Sequence, residues 1–286
     1  IGSGMGGLSA AAALVKAGKR PLILEHHFAV GGNAQTFRRR KMFDFDVGLH
    51  YLGDCGPGGA FPTMLQAMGV EGVEFAPMDR DGFDTLHFPD LTFRVPATWD
   101  RYGDRLRAAF PGERAAIDRY LEYAQWVRAS MGGGAGDPPA LQRVLGKPWT
   151  DLTLGEVFDA LEMSVQLRHV LAAECGTYGA PPSRASLGIH IGVMDHYLKS
   201  GGWYIHGGAP ALINGFVRAI ERGGGEIKLR SRVERVLVEG GRAVGVRLAK
   251  GAEFRAPVVI SNADAKRTLL EMVGEDHLTP TLAERL

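Results

Sequence analysis

Cysteine is scarce in this sequence, and its two copies stand far apart. Cys55 and Cys175 form no CxxC pair, and no histidine lies at ligand spacing from either of them. A small secreted protein would carry more cysteines at regular spacing, and a structural zinc site would need paired ligands. The pattern therefore argues against a disulfide framework and predicts no metal site.

Long apolar runs and an excess of one charge sign are also missing. No apolar stretch approaches the ~20 residues of a membrane-spanning helix. Ile1 leads directly into a glycine turn, so no secretory signal is visible and we expect a cytoplasmic protein. The formal net charge of +1 does not favour a nucleic-acid partner. The 286 residues, 45% of them hydrophobic, allow one large domain or two smaller ones.

Glycine, by contrast, is abundant, with 40 copies in the chain. This is roughly twice the usual ~7%. The glycines are not periodic but come in pairs, as at Gly31-Gly32 and Gly240-Gly241. Because glycine weakens helices and strands, such pairs indicate tight turns and backbone that faces a ligand.

The first of these glycine-rich stretches, GSGMGG at residues 2–7, has the pattern GxGxxG. Leu8, Ala11 and Val15 follow at helical spacing, and residues 21–24 read as a short buried strand that ends at Glu25. A strand end with an acid about 20 residues beyond the glycines is typical of a dinucleotide site. This context favours a dinucleotide site over an ordinary glycine turn.

Each residue of this motif has a physical task. Gly2 permits the tight turn, Gly4 lets a pyrophosphate approach the backbone, and Gly7 lets helix and strand pack closely. The helix N-terminus offers free N–H groups and the positive end of its dipole to phosphate. The carboxylate of Glu25 would accept hydrogen bonds from a ribose diol and repel a 2′-phosphate.

The next two segments carry a family resemblance. Residues 29–37 read AVGGNAQTF and residues 43–53 read FDFDVGLHYLG. They resemble the FAD-dependent amine-oxidase and phytoene-desaturase superfamily, and most closely its branch of carotenoid isomerases and retinol saturases. The similarity extends along the whole chain and is densest at 1–53 and 201–270.

The resemblance implies FAD as the cofactor and a set of residues that contact it. Asn33 departs from the family pattern, because many relatives carry Arg or Lys after the Gly-Gly pair. The main chain of Val233 would hold the adenine, and Asn262 belongs to a family motif at a strand end. The implied cofactor-binding residues are Gly2, Gly4, Met5, Gly6, Gly7, Glu25, His26, Gly31, Gly32, Asn33, Thr36, His50, Val233 and Asn262.

The implied fold is α/β, with a Rossmann-like FAD-binding domain, a β-meander and an inserted, mostly helical substrate domain. We expect the FAD-binding domain at 1–95 and 201–286 and the insertion at 96–200. Helices are predicted at 104–110, 114–131, from Thr153 to about Met163, at 165–175 and from 180–183 onward, and the meander at 233–260. In the family a strand precedes the first turn and a C-terminal flavin segment follows later, so we expect a chain cut at both ends.

Two features near the second glycine pair allow alternative interpretations. The run Arg38-Arg39-Arg40-Lys41 is typical of a solvated hairpin, which we favour, although a basic rim facing a membrane would have the same sequence. Phe43, Phe45 and Val47 alternate with Asp44 and Asp46, which predicts a strand with one apolar face. His50 is either a structural residue or a neighbour of the flavin ring.

The leading functional hypothesis is an FAD-dependent oxidoreductase that desaturates, saturates or isomerises a conjugated isoprenoid. Such an apolar substrate implies peripheral membrane contact without a spanning helix. One alternative is a flavin amine oxidase, and another is a non-catalytic or inactive, truncated flavin-binding protein. An NAD-dependent dehydrogenase fits least, because the second glycine pair and the meander would have no role there. No catalytic residue can be assigned from the sequence.

Overall fold

The protein, described here over residues 1–286 by a computed structural model, consists of two compact units. The first unit contains residues 1–50, 61–75 and 205–286, and the second contains 51–60 and 76–204. Each unit has its own cluster of buried apolar side chains. None of the helices is long and apolar enough to cross a membrane.

Helices make up most of the second unit and flank the sheet residues of the first. They are α1 (Met5–Lys16), α2 (Ala60–Ala67), α3 (Trp99–Ala109), α4 (Arg114–Met131), α5 (Ala140–Leu145), α6 (Leu154–Ala160), α7 (Val165–Leu171), α8 (Cys175–Tyr178), α9 (Leu187–Leu198), α10 (Gly208–Arg222) and α11 (Pro280–Arg285). A π-helical segment at Arg267–Gly274 and short 3-10 turns complete the helical structure.

The strands are short, and all of them pair in two- or three-stranded sheets. They are β1 (Leu22–Leu24), β2 (Thr36–Arg39), β3 (Phe43–Asp46), β4 (Phe75–Pro77), β5 (Asp84–His87), β6 (Thr92–Val95), β7 (Trp203–Ile205), β8 (Glu226–Lys228), β9 (Val233–Glu239), β10 (Arg242–Leu248) and β11 (Glu253–Arg255).

The first three residues lie at the centre of a parallel arrangement of extended segments. Gly2 N–H donates to Leu24 O at 2.9 Å, and β1 pairs in parallel with β8. On the other side, the Ile1 ammonium donates to Ile260 O at 2.6 Å and Asn262 N–H donates to Ile1 O at 2.9 Å. Helix α1 connects residues 1–3 to β1, which is the β-α-β arrangement that the opening motif predicts.

The predicted β-meander is present as an antiparallel sheet with strand order β11-β10-β9. Val233, Val236 and Val246 are buried, together with Met272 of the π-helical segment. The third strand is shorter than predicted, because it ends at Arg255 and residues 256–260 form no ladder. Pro257 contributes to this end, since proline has no N–H to donate.

The second unit is mainly helical, as the sequence predicts for the insertion, and Tyr102, Tyr120, Tyr123 and Phe158 lie almost fully inside it. The unit begins earlier than the predicted position 96, because residues 76–95 belong to it. The β5–β6 hairpin places Phe83, Phe93 and Val95 in the same buried cluster as the helices. The assignment of the two units to cofactor and substrate stays a prediction.

Several helix ends differ from the sequence-based expectation. The capping box of Thr153 and Glu156 is present, but α6 ends at Ala160 because Glu162 takes a positive φ of 51°. The predicted helix over 165–175 is split into α7 and α8 by a turn at residues 172–174. The helix expected from 180–183 begins at Leu187, since those residues form turns.

Candidate functional site

The opening glycine turn leads into the uncapped N-terminus of α1. Gly4 is the N-cap and has no side chain to hydrogen-bond the first turn, which also contains no acidic residue. Gly2 has a φ of 87°, a conformation that favours glycine. A Cβ on Gly7 would overlap the carbonyl oxygen of Gly2, so glycine is required where helix and turn pack together. The first-turn N–H groups and the dipole make this an anion-binding end of the helix.

Asn262 lies across the same turn. A Cβ on Gly4 would lie 2.8 Å from Asn262 Nδ2, and a Cβ on Gly6 would overlap the Asn262 side-chain amide. The backbone hydrogen bond from Asn262 to Ile1 holds it there. The structure therefore brings together two motifs that are far apart in the sequence. The side-chain amide of Asn262 lies next to the glycines of the opening turn.

Glu25 follows β1, and its carboxylate is surrounded by hydrogen-bond donors. It is only 4% exposed. Its Oε2 accepts from the amide and the hydroxyl of Ser3, both at 2.7 Å. Its Oε1 accepts from the amide of His27 at 2.8 Å and lies 3.0 Å from Nδ1 of His26, whose side chain is 73% exposed.

These donors decide the charge of Glu25. Burial by itself would raise the pKa of the carboxyl, but the hydrogen bonds from His27 and Ser3 outweigh it and leave the pKa below its usual value. Glu25 is therefore ionised at neutral pH.

The second glycine pair packs directly on the first turn. Gly31 N–H donates to Ser3 O at 3.0 Å, and Gly4 and Gly31 form an isolated parallel bridge. Gly31 and Gly32 have φ values of 120° and 57°. A Cβ on Gly32 would lie 2.9 Å from the Cα of Gly4, and one on Gly31 would overlap Ile213 of α10. At both positions, the positive φ angle and the closeness of neighbouring atoms require glycine.

The residues after this pair lead into the β2–β3 hairpin. Asn33 belongs to a short 3-10 turn, and its carbonyl oxygen would lie 3.1 Å from a Cβ on Gly48. Thr36 begins β2 and pairs with Asp46. His50 is exposed and makes no hydrogen bond or ion pair, so the structure does not connect it to the glycine turns.

Val233 begins β9 close to the acid of the site. Its side chain is buried, and it pairs with Leu248 across the sheet. Two residues earlier, Ser231 N–H donates to the backbone oxygen of Glu25 at 2.7 Å. The start of the meander is thus tied to the end of β1 by a backbone hydrogen bond.

Sequence reasoning missed Ser3, to which it assigned no role. Ser3 is completely buried and supplies two of the donors to Glu25. A small polar residue between the glycines, with an acid at the end of the next strand, is a signal that could have revealed this pair.

The second unit contains a polar cluster that no sequence motif indicated. The hydroxyl of Tyr51 lies 3.1 Å from Asp84 Oδ2 and 3.0 Å from Glu174 Oε1. The hydroxyl of Tyr178 lies 2.9 Å from Cys175 Sγ and 2.8 Å from Nδ1 of His190. These residues come from separate stretches of the sequence, so only folding shows that they meet.

His190 belongs to this cluster and is completely buried. Burial lowers its pKa to about 4, and its Nε2 has no hydrogen-bond partner. The ring is therefore neutral at physiological pH. The burial of Cys175 raises the pKa of its thiol, so this group is protonated as well.

Comparison with known proteins agrees with this geometry. The family model for flavin-containing amine oxidoreductases matches residues 5–283, and the chain belongs to that family. It is 31% identical over its full length to the all-trans-retinol 13,14-reductase of Danio rerio, of which it covers 50%. It is 31% identical over 92% of its length to prolycopene isomerase 2 of an Oncidium hybrid cultivar, of which it covers 47%.

A solved structure shows the same fold. The oxidoreductase from Methanosarcina mazei superposes with a TM-score of 0.73 at 18% identity, over 99% of this chain and 62% of that one. The chain spans about half the length of the curated relatives it matches. The superfamily, the branch and the α/β fold expected from the sequence are confirmed.

Family membership makes FAD the cofactor of this chain. The residues of the first unit fit it, because an uncapped helix N-terminus suits a pyrophosphate and an ionised carboxylate suits a ribose diol. The glycines leave the space that a Cβ would fill, although the amide of Asn262 takes up part of it. Asn262 must therefore either contact the phosphates or turn aside for them.

Proposed function

We propose that the chain is the FAD-binding part of an oxidoreductase that acts on a conjugated isoprenoid. The observation that carries this proposal is the buried, ionised Glu25 beneath an uncapped glycine turn, in a chain whose relatives include a retinol reductase and a prolycopene isomerase. The proposed reactions are the desaturation, saturation and isomerisation of polyene double bonds.

The chain's own residues would bind and orient the cofactor. Oε1 of Glu25 would accept hydrogen bonds from the ribose hydroxyls after His26 moves aside, and the main chain of Val233 would hold the adenine. FAD, when bound, supplies the exchange of hydride with the substrate. The pyrophosphate contacts would come from Gly2, Gly4, Met5, Gly6, Gly7 and Asn262 on one side and from Gly31, Gly32, Asn33 and Thr36 on the other.

The helical second unit would exclude water from the apolar substrate. Its buried side chains are mostly apolar, and its polar cluster is kept neutral at His190 and Cys175. A dry environment protects reactive intermediates from water. An apolar isoprenoid would reach the protein from a lipid phase, so we extend the proposal to peripheral membrane contact.

The first test is the visible spectrum of the purified chain, with the cofactor released by denaturation and identified. Bound FAD supports the proposal and leads to anaerobic assays with all-trans-retinol, prolycopene and a primary amine. Conversion of a polyene confirms the proposed class, whereas conversion of the amine alone would replace it with an amine oxidase. The proposal would be contradicted if the chain could not be reconstituted with FAD and a version extended at both ends also failed to bind it.

A further inference from the structure

The ring of His190 in α9 has one nitrogen with a hydrogen-bond partner and one without. Nδ1 lies 2.8 Å from the hydroxyl of Tyr178, whereas Nε2 is inaccessible to water and forms no hydrogen bond. The whole residue is completely buried within the second unit, so bulk solvent does not supply the missing partner. Because a buried polar atom without a partner lowers stability, Nε2 indicates a place for a further polar group.

The partner of Nδ1 belongs to a short chain of hydrogen bonds, since Tyr178 Oη also lies 2.9 Å from Cys175 Sγ. The hydroxyl and the thiol each have one proton to donate, so this chain can run in either direction. If Cys175 donates to Tyr178 and Tyr178 donates to Nδ1, then Nε2 carries the ring proton and is a donor. If the direction is reversed, Nε2 is an acceptor. A hydroxyl group both donates and accepts, so it satisfies Nε2 in either case.

The three side chains of this hydrogen-bond chain are uncharged at neutral pH. Burial lowers the pKa of His190 to about 4 and raises the pKa values of Cys175 and Tyr178 above their usual values. A carboxylate bound at Nε2 would therefore meet no positive charge there and would be buried at a high cost in free energy. The position favours a neutral hydroxyl group.

The surroundings of His190 are apolar. Leu187 and Met194, about one turn before and one turn after it, share its face of α9 and are buried. Both belong to the large apolar cluster of the second unit. Met194 has a flexible side chain, which can rearrange to admit a ligand. A molecule bound at Nε2 would therefore be largely apolar and would carry a hydroxyl group.

We propose that Nε2 of His190 binds the hydroxyl group of an apolar alcohol inside the second unit. The inference rests on the proposed function, because it takes the second unit to be the part that receives the isoprenoid. It deepens that function, since it selects alcohols such as all-trans-retinol over hydrocarbons such as prolycopene. A buried water would offer Nε2 the same chemistry, so the experiment must separate water from alcohol.

The experiment measures how tightly the 286-residue chain binds two ligands, with and without FAD, by quenching of tryptophan fluorescence. The ligands are all-trans-retinol and the same polyene with hydrogen in place of the hydroxyl group. The ratio of the two affinities should be about tenfold higher in the wild type than in His190→Leu, because only the imidazole can hydrogen-bond the hydroxyl. Comparing ratios cancels the different tendencies of the two ligands to leave water. The matched control is His169→Leu, the same change at an exposed position of α7, and it should keep the wild-type ratio.

A second readout follows the His190 ring directly. In a chain labelled with ¹⁵N-histidine, the Nε2 signal of His190 can be assigned with His190→Gln. This signal should shift when retinol is added and stay in place when the hydrocarbon is added. The measurement is made on the wild type, so it keeps the inference testable if His190→Leu fails to fold.

The inference would be overturned if retinol bound without shifting the Nε2 signal, because water or no partner would then lie at that nitrogen. Equal affinity ratios in the wild type and His190→Leu, or a chain that binds neither ligand, would overturn it as well. A chain that shows the His190-dependent ratio but takes up no FAD would contradict the proposed function and leave this inference intact. A chain that binds FAD and converts prolycopene, but has equal ratios, would do the reverse.

Discussion

At the scale of single residues, the charge of Glu25 is maintained by its immediate surroundings. Ser3 and His27 supply three hydrogen bonds to a carboxylate that is almost inaccessible to water. A buried charge without such donors would neutralise by a shift in its pKa. Glu25 therefore stabilises the turn through these hydrogen bonds and is kept as a charged acceptor, which a ribose hydroxyl would need.

The first prediction concerns this carboxylate. Glu25→Gln places an NH₂ group or a neutral oxygen among donors, so the free energy of unfolding should fall by about 1–3 kcal/mol. FAD affinity, measured by fluorescence titration, should fall at least about tenfold, because the charged acceptor is lost. Ser3→Ala is the control: it removes the hydroxyl donor but keeps the charge, so affinity should change less. Equal losses in both variants would assign Glu25 a purely structural role.

The second prediction concerns His190 and pH. Burial lowers its pKa to about 4 in the folded chain, against about 6.5 when unfolded. The unfolded chain therefore binds more protons between these values, and stability is complete above about pH 6.5 and lost as pH falls towards about 4. The loss amounts to about 3 kcal/mol.

Urea unfolding at a series of pH values tests this prediction. His190→Gln keeps a polar partner for Tyr178 but cannot titrate, so its stability should decline less with acid than that of the wild type. The difference between the two curves isolates His190 from the other titrating groups. Parallel curves would show that His190 is accessible to protons in the folded state.

At the scale of secondary-structure elements, α1 and the two glycine turns act together. The helix can approach residues 1–3 closely because Gly7 has no Cβ, and Gly32 approaches Gly4 for the same reason. Most of the element types were predictable from periodicity and turn residues, as for α1, α4 and the meander. Helix ends were less predictable where a turn interrupted an apolar pattern, as between α7 and α8.

The third prediction compares two helical glycines. Gly7→Ala would place a methyl group against the carbonyl of Gly2 and should lower stability by about 1–3 kcal/mol. It should also abolish FAD binding, because the turn must shift. Gly192→Ala in α9 meets nothing within 4 Å and should raise stability by about 0.5–1 kcal/mol. Thermal unfolding with and without FAD measures both, and FAD binding by Gly7→Ala would contradict the assigned packing.

At the scale of the whole molecule, the chain forms two units with separate cores. All the cofactor residues predicted from the sequence lie in the first unit, although they come from its beginning and its end. A ligand bound to one unit stabilises that unit directly. The two units should therefore respond differently to FAD.

The fourth prediction follows from this division. Addition of FAD should slow amide hydrogen exchange in residues 2–8, 25–36 and 260–263 more than in the core helices α4 and α9. Exchange followed by mass spectrometry, with and without FAD, gives the protection of each segment. Uniform protection of both units would show that the cofactor site is not confined to the first.

Local sequence by itself determined the glycine turn, its helix, the acid at the end of β1 and the family. These features depend on neighbours in the chain, on side-chain periodicity and on backbone conformations that only glycine adopts easily. Tertiary structure alone decided that Asn262 lies on Gly4 and Gly6, that Ser3 holds Glu25, and that His190 is buried with an unpartnered nitrogen. Such contacts join residues far apart in sequence, and their formation depends on how the packed elements fill space.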